Sequence, residues 1–247
     1  MHIFPIPAFK DNYIWVITTD SSNSCIVVDP GNAKAVINAL HEKKLNLIAV
    51  LITHNHWDHT NGINELKTKF NATVYGSANS HLDNIDIRLK EHDLVNINEL
   101  NFKFSVLEIP GHTLDHIAFY NNEVLFCGDT LFSAGCGRLF EGTPAQMLDS
   151  LRKLKQLPST TQVYCAHEYT QNNIKFALHI EPNNNYLKNK IVNLPSLPST
   201  IKEELLINPF FRTQEPSIIT AASKHAKKEL TSEVDVFAAI RHWKDDF

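Results

Sequence analysis

Six consecutive residues, His54-Asn55-His56-Trp57-Asp58-His59, constrain this chain more than any other stretch. They follow directly on Leu45 to Thr53, a leucine-rich and β-branched run without clear alternation. That pattern suits a strand covered on both faces, so the cluster sits at a buried strand's C-terminal end. A loop leaving such a strand turns successive side chains to different sides. His54 and His56 can then share one cation while Asp58 and His59 serve a second. Imidazole with carboxylate oxygen suits zinc, iron or manganese.

The same placement of donors recurs along the chain. Tyr13 to Thr19 and Ser24 to Asp29 read as a hairpin joined by Asp20-Ser21-Ser22-Asn23. Asn32 caps a helix over Ala33 to Lys44, whose Val36, Ile37 and Leu40 form one apolar face. Beyond the histidine loop a helix is expected over Asn61 to Phe70, then a short strand at Ala72 to Tyr75. Residues 77 to 93 are irregular and polar and give no assignment. A strand over Phe102 to Ile109 leads into Pro110-Gly111-His112-Thr113. A hairpin, His116 to Tyr120 and Glu123 to Cys127, runs into Gly128-Asp129-Thr130. After an amphipathic helix from Pro144 to Leu157, the strand Gln162 to Ala166 delivers His167-Glu168-Tyr169.

From Thr170 the pattern changes to helices separated by Asn-rich and Pro-rich connectors, with no strand-like run. A domain boundary is expected near Tyr169, with residues 1–169 as the metal-binding catalytic domain and 170–247 as an α-helical appendage. The 247 residues suffice for one large domain and that appendage.

Strand ends thus supply His54, His56, Asp58 and His59, then His112, Asp129 and His167. If Asp129 gives an oxygen to each ion, His54, His56, His112 and Asp129 hold the first metal. Asp58, His59, His167 and Asp129 hold the second. Two cations about 3.5 to 4 Å apart can hold a bridging hydroxide. Two divalent ions less two aspartates and one hydroxide leave a formal charge of about +1, suited to an oxyanion forming on an attacked carbonyl. Asp58 and Asp129 are therefore the catalytic carboxylates. Thr53, Thr113, Thr130 and Asp29 are candidates to orient the ligands. The remaining histidines receive no metal role, with His116 the nearest contender.

A net charge of -4 with dispersed Lys and Arg argues against non-specific nucleic-acid binding. No apolar run approaches bilayer-spanning length, and the N-terminus lacks the regions of a signal peptide, so the expected setting is the cytoplasm. Cys25, Cys127, Cys136 and Cys165 lack CxxC spacing and read as buried small residues.

Thr53-His54-Asn55-His56-Trp57-Asp58-His59 resembles the THxHxDH signature of the metallo-β-lactamase superfamily, and His112, Asp129 and His167 match its remaining ligand positions. The resemblance implies an α+β fold, an αββα sandwich with a C-terminal all-helical domain. Within the superfamily the chain is similar to the glyoxalase II (hydroxyacylglutathione hydrolase) family over nearly its whole length. The segments carrying this are Pro110 to Thr113, Gly128 to Phe132, Cys136 to Thr143, Ala166 to Thr170, Asn208 to Arg212 and the ending Arg241 to Phe247.

That likeness implies hydrolysis of S-(2-hydroxyacyl)glutathione, in particular S-lactoylglutathione to lactate and glutathione, the second step of methylglyoxal detoxification. It also implies two divalent metals, zinc first and iron or manganese as alternatives; the chain is expected to be a monomer. Arg241 and Lys244 of the appendage, with Arg138, Phe140 and Tyr169, match the glutathione-binding positions. Phe140 stands where other members carry Tyr, which removes a hydroxyl contact. The alternative is another enzyme of the fold, a glutathione persulfide dioxygenase with one iron or a lactonase.

Overall fold

The computed structural model describes residues 1–190 and 193–247. Its contacts divide the chain into two compact units, residues 1–108 with 115–128, and residues 109–114 with 129–247.

The first unit carries a six-stranded sheet in the order β1 (His2–Ala8), β2 (Asn12–Thr19), β3 (Ser22–Val28), β4 (Asn46–Leu51), β5 (Thr73–Ser77) and β6 (Ile87–Leu89). β1, β2 and β3 are antiparallel, whereas β3 to β6 are mutually parallel. The parallel part needs crossovers, supplied by α1 (Ala33–Lys43) between β3 and β4 and by α2 (Trp57–Thr60) and α3 (Ile63–Phe70) before β5. Asn32 caps α1 by accepting from Ala35 N–H at 3.1 Å, the role read from its position.

Val36 and Leu40 of α1 and Ile63 and Leu66 of α3 pack on Ile14, Val16, Val27, Val50 and Val74. Residues of the opposite parity, Trp15, Ile17, Ile26, Val28, Ala49 and Leu51, are equally buried. Both faces of the sheet are therefore covered, which is why Leu45 to Thr53 shows no alternation. β7 (Leu94–Ile97), β8 (Phe102–Glu108), β9 (Ile117–Tyr120) and β10 (Val124–Gly128) follow as an antiparallel meander. Three strands of this unit lie outside the sequence reading: β1, whose prolines mask it, and β6 and β7, which at three and four residues are too short to show a period.

The second unit opens with a two-stranded hairpin, β11 (Leu131–Phe132) and β12 (Gly135–Cys136). α4 (Pro144–Lys155) follows, begun by a Thr143–Gln146 capping box with proline at its first position. β13 (Gln162–Cys165) leads to α5 (Thr170–Ile180), α6 (Asn185–Asn189), β14 (Ser199–Thr200), α7 (Ile201–Ile207), α8 (Pro216–Ala226) and α9 (Glu233–Asp245). The helical character of the tail holds, with one correction. The two residues of β14 pair antiparallel with β13 through Gln162–Thr200 and Val163–Ser199, a contact too short to leave a periodic signature. Phe176, Phe210 and Phe237 form the aromatic centre of this unit, with ring centroids 6.4 and 5.7 Å apart along the series. All four cysteines of the chain are buried.

Candidate metal centre

In the first unit the loop after β4 is fixed by Asp29, the residue after β3. Asp29 Oδ1 accepts from Thr53 N–H at 2.8 Å, and its Oδ2 accepts from the Thr53 hydroxyl at 2.7 Å and from His59 Nδ1 at 3.1 Å. Asp29 takes a left-handed backbone conformation, φ 52°, to present both oxygens. With its hydroxyl proton given to Asp29, Thr53 Oγ1 is left as acceptor for His54 Nδ1 at 3.0 Å. Both imidazoles thus have Nδ1 engaged, which assigns the proton to that nitrogen and leaves Nε2 as the donor atom for a cation.

Donor atoms of Asp29, His54 and His59 lie within 4.8 Å of one another. Because the Asp29 oxygens are already taken, Asp29 orients the imidazoles rather than competing to be a ligand. The rings of His54 and His59 are 4.1 Å apart and those of His54 and His56 4.8 Å. Asp58 Oδ2 lies 3.5 Å from His59 Nε2 and accepts from Asn12 Nδ2 at 2.9 Å. His116, buried and without a metal role in the sequence reading, stacks on His54 at 4.5 Å with an interplanar angle of 12°.

In the second unit His112 Nε2 and His167 Nε2 approach the same Asp129 oxygen, Oδ2, at 3.4 and 3.3 Å. These separations exceed an ordinary N–H···O bond. They match the roughly 3.4 Å edge of a tetrahedron whose metal–ligand bonds are about 2.1 Å. The spacing and the donor chemistry therefore fit divalent cations. His112 Nδ1 bonds the Arg138 carbonyl at 2.8 Å, and Tyr169 stacks on His167 at 4.9 Å.

Two glycines allow the loops this shape. A Cβ on Gly31 would lie 1.7 Å from the Asp58 carbonyl oxygen, and one on Gly137 would lie 1.9 Å from the Asp129 carbonyl oxygen. Asp58 and Asp129, the two candidate carboxylates, therefore each have their main chain pressed against a glycine.

The cationic residues expected at the substrate also lie in the second unit. Arg138 is exposed and pairs through Nε with Asp245 Oδ1 at 3.3 Å. Arg241 is only 3% exposed; it donates from Nη1 to the Cys136 carbonyl at 2.7 Å and from Nη2 to Asp245 Oδ1 at 3.1 Å. Lys244 Nζ sits over the Phe176 ring, 5.1 Å from its centroid. Burial, followed by repulsion from Arg241, brings its ammonium down to about 8. Three cations face one carboxylate, Asp245, so the cluster keeps positive charge for an anionic ligand. Phe140 is 63% exposed and meets the His112 ring edge to face at 5.2 Å.

Sequence reasoning missed Asn12, His116 and Asp245. Asn12 and His116 act through partners distant in sequence or through ring packing, which no local spacing reports. Asp245 stands in the quoted ending, but its pairing with two arginines is visible only in three dimensions.

Residues 9–167 match the metallo-beta-lactamase superfamily model, and residues 168–247 match that of the hydroxyacylglutathione hydrolase C-terminus. The hydroxyacylglutathione hydrolase of Aliivibrio salmonicida is 51% identical over 251 residues, covering 98% of this chain and 98% of its own. That of Nitrosomonas europaea is 47% identical over 255 residues, covering 100% of this chain and 97% of its own. Among solved structures, ETHE1 from Myxococcus xanthus superposes with a TM-score of 0.71 at 25% identity, over 98% of this chain and 91% of that one. The BLEG-1 B3 metallo-beta-lactamase gives a TM-score of 0.67 at 25% identity, over 85% of this chain and 99% of that one.

Proposed function

The chain belongs to the hydroxyacylglutathione hydrolase family of the metallo-β-lactamase superfamily, and from that premise we propose how its residues divide the hydrolysis of a glutathione thioester. The reading rests above all on one observation, the single Asp129 oxygen facing both His112 Nε2 and His167 Nε2.

The proposed ligands are His54, His56, His112 and Asp129 for one cation and Asp58, His59, His167 and Asp129 for the other, with zinc in both positions. Bound there, two divalent ions supply an activated water near neutral pH and Lewis-acid polarisation of the thioester carbonyl. The protein's part is orientation. Asp29 and the Thr53 hydroxyl hold His54 and His59 with Nε2 forward, Asn12 holds Asp58, and the Arg138 carbonyl holds His112.

The substrate carries two carboxylates on its glutathione portion. Arg138 and Lys244 offer charge to them, while buried Arg241 fixes Asp245 and the Cys136 carbonyl between those cations. Tyr169 and Phe140 supply flat apolar surface beside His167 and His112. The leaving group is a thiolate, whose conjugate acid has a pKa of about 8.5, so its departure needs little acid assistance. We assign the lactoyl thioester as substrate and the cytoplasm as setting, with a monomeric chain divided into a catalytic part, 1–169, and a glutathione-binding part, 170–247. No helix among the described residues is long and apolar enough to cross a membrane.

The test couples metal analysis of purified protein to thiol release from S-lactoylglutathione. About two metals per chain with rapid release is the expected result. Release without bound metal defeats the ligand assignment, and two bound metals without release defeat the substrate assignment.

A further inference from the structure

The hairpin β11–β12 connects one proposed ligand, Asp129, to the support of another, His112. It begins two residues after Asp129, and its far end leads through Gly137 to Arg138, whose carbonyl holds His112 Nδ1. Gly137 N–H donates to the Thr130 carbonyl at 3.2 Å, so the two ends are tied across the base. Whatever fixes the turn at the other end therefore fixes the relation between Asp129 and the support of His112.

That turn, Phe132 to Gly135, is held by side chains from the helical segment. Asn208 Nδ2 donates to the Phe132 carbonyl at 3.1 Å and to the Gly135 carbonyl at 2.9 Å. Glu204 Oε2 accepts from Ala134 N–H at 2.8 Å and lies 2.9 Å from Asn208 Nδ2, whose two hydrogens are shared among these three oxygens. Asn173 Nδ2 donates to the Ser133 carbonyl at 2.9 Å. All four turn residues, 132 to 135, thus have a main-chain group bonded to a buried side chain. Ala134 itself lies in the left-handed region, φ 54°, a conformation that alanine adopts only when its surroundings impose it.

Glu204 and Asn208 are both 0% exposed. A carboxylate and an amide in so dry a place are costly unless their bonds do something that apolar packing would not. We propose that Glu204 and Asn208 are positioning residues for the hydrolysis, a clamp on the 131–136 hairpin that keeps Asp129 and the Arg138 carbonyl in register. The proposal rests on the reading of Asp129 and His112 as ligands.

The full-length protein tests it through Asn208→Ala, Glu204→Met and Glu204→Gln. Each is measured for Tm, for metal retention against a chelator, and for kcat and KM with a glutathione thioester well below the melting range. Asn208→Ala and Glu204→Met are expected to lower kcat per metal-loaded chain about tenfold or more, with KM within about twofold and with metal lost at lower chelator concentration. Glu204→Gln keeps an oxygen for Ala134 N–H and is expected to retain kcat within about twofold.

A lowered Tm with unchanged kcat and unchanged chelator sensitivity in the folded variants overturns the clamp and leaves a packing role only. Should both disruptive variants fail to fold, Asn173→Ala carries the test. It removes one bond at the same turn, and the same kcat loss at smaller size is expected; an unchanged kcat and metal retention there overturns the proposal equally. Asp129→Ala serves as control. If it keeps its full metal, the ligand reading fails by itself, separately from the kinetics of the clamp variants.

Discussion

Asn12 Nδ2 donates to Asp58 Oδ2 at 2.9 Å, although the two residues stand 46 positions apart. The bond comes from the start of β2 and fixes the carboxylate oxygen that faces His59 Nε2 at 3.5 Å. Loss of such an outer partner typically costs 10- to 100-fold in metal affinity or activity. Asn12→Ala is expected to fall in that range for the metal that Asp58 is proposed to hold. Chelator titration reads it, and an unaltered titration together with an unaltered kcat would refute it.

Asp129→Ala is expected to abolish hydrolysis and to lower the metal content of the purified protein. The reason is geometric: one oxygen of this residue faces two imidazole nitrogens, and alanine offers neither of them a partner. Retained activity at full metal loading would remove the bridging role.

As a proposed binding residue, Lys244 is expected to give the binding step a pH dependence. Its ammonium is held down to about 8, chiefly by burial and secondly by Arg241. Below that value the side chain is charged and attracts a carboxylate; above it the attraction is lost. KM for the glutathione thioester should therefore rise as pH passes through 8, while Lys244→Arg, charged throughout, flattens the profile. Initial rates between pH 6.5 and 9.5 check this, and a rise of equal size in Lys244→Arg would exclude Lys244 as its source.

Glu204 is expected to give the stability a pH dependence from the same cause, burial, acting in the opposite direction. Burial pushes its carboxyl up to about 7; neighbouring Glu203 adds to the rise, and bonds from Asn208, Ser199 and Ala134 N–H oppose it. The folded state thus binds the proton more tightly than the unfolded chain, where a glutamate titrates near 4.3. The associated stability is complete below about pH 4 and is lost as pH rises through 7. A change of roughly 5 °C in Tm is expected across that window. Glu204→Gln should flatten it in thermal melts of metal-saturated protein. A slope identical in the variant would assign the effect to another group.

The histidine loop was legible because a metal site needs several donors within a few ångströms, and three of its imidazoles are local in sequence. The strands that deliver the other donors were legible because buried strands are apolar and end at glycine, proline or aspartate. Of the residues that lock those donors, Asp29 and Thr53 were named as candidates but their partners were not, and Asn12 and the Arg138 carbonyl were not named as locks at all. Asp29 reaches His59 across 30 positions, and the Arg138 carbonyl reaches His112 across 26. No spacing rule encodes such pairs. Arg241 shows the same limit from the other side. Its match to a glutathione-binding position implies a side chain open to substrate, yet the fold buries it against Cys136. Short elements fared worst: β6 and β14, of three and two residues, leave no period to detect.

The glycines behind Asp58 and Asp129 carry a consequence for anyone wishing to retrain the enzyme. At Gly31 and Gly137 even a methyl group would drive into the main chain of a carboxylate-bearing residue, so a library built at those positions would mostly sample broken centres. In each unit the tolerant ground lies at the rim: Phe9 and Trp57, exposed and in edge-to-face contact at 5.0 Å, in the first, and Leu114 and Phe140 in the second. Randomising those four side chains leaves both carboxylates on their glycine footings, and selection for new acyl groups is best begun there.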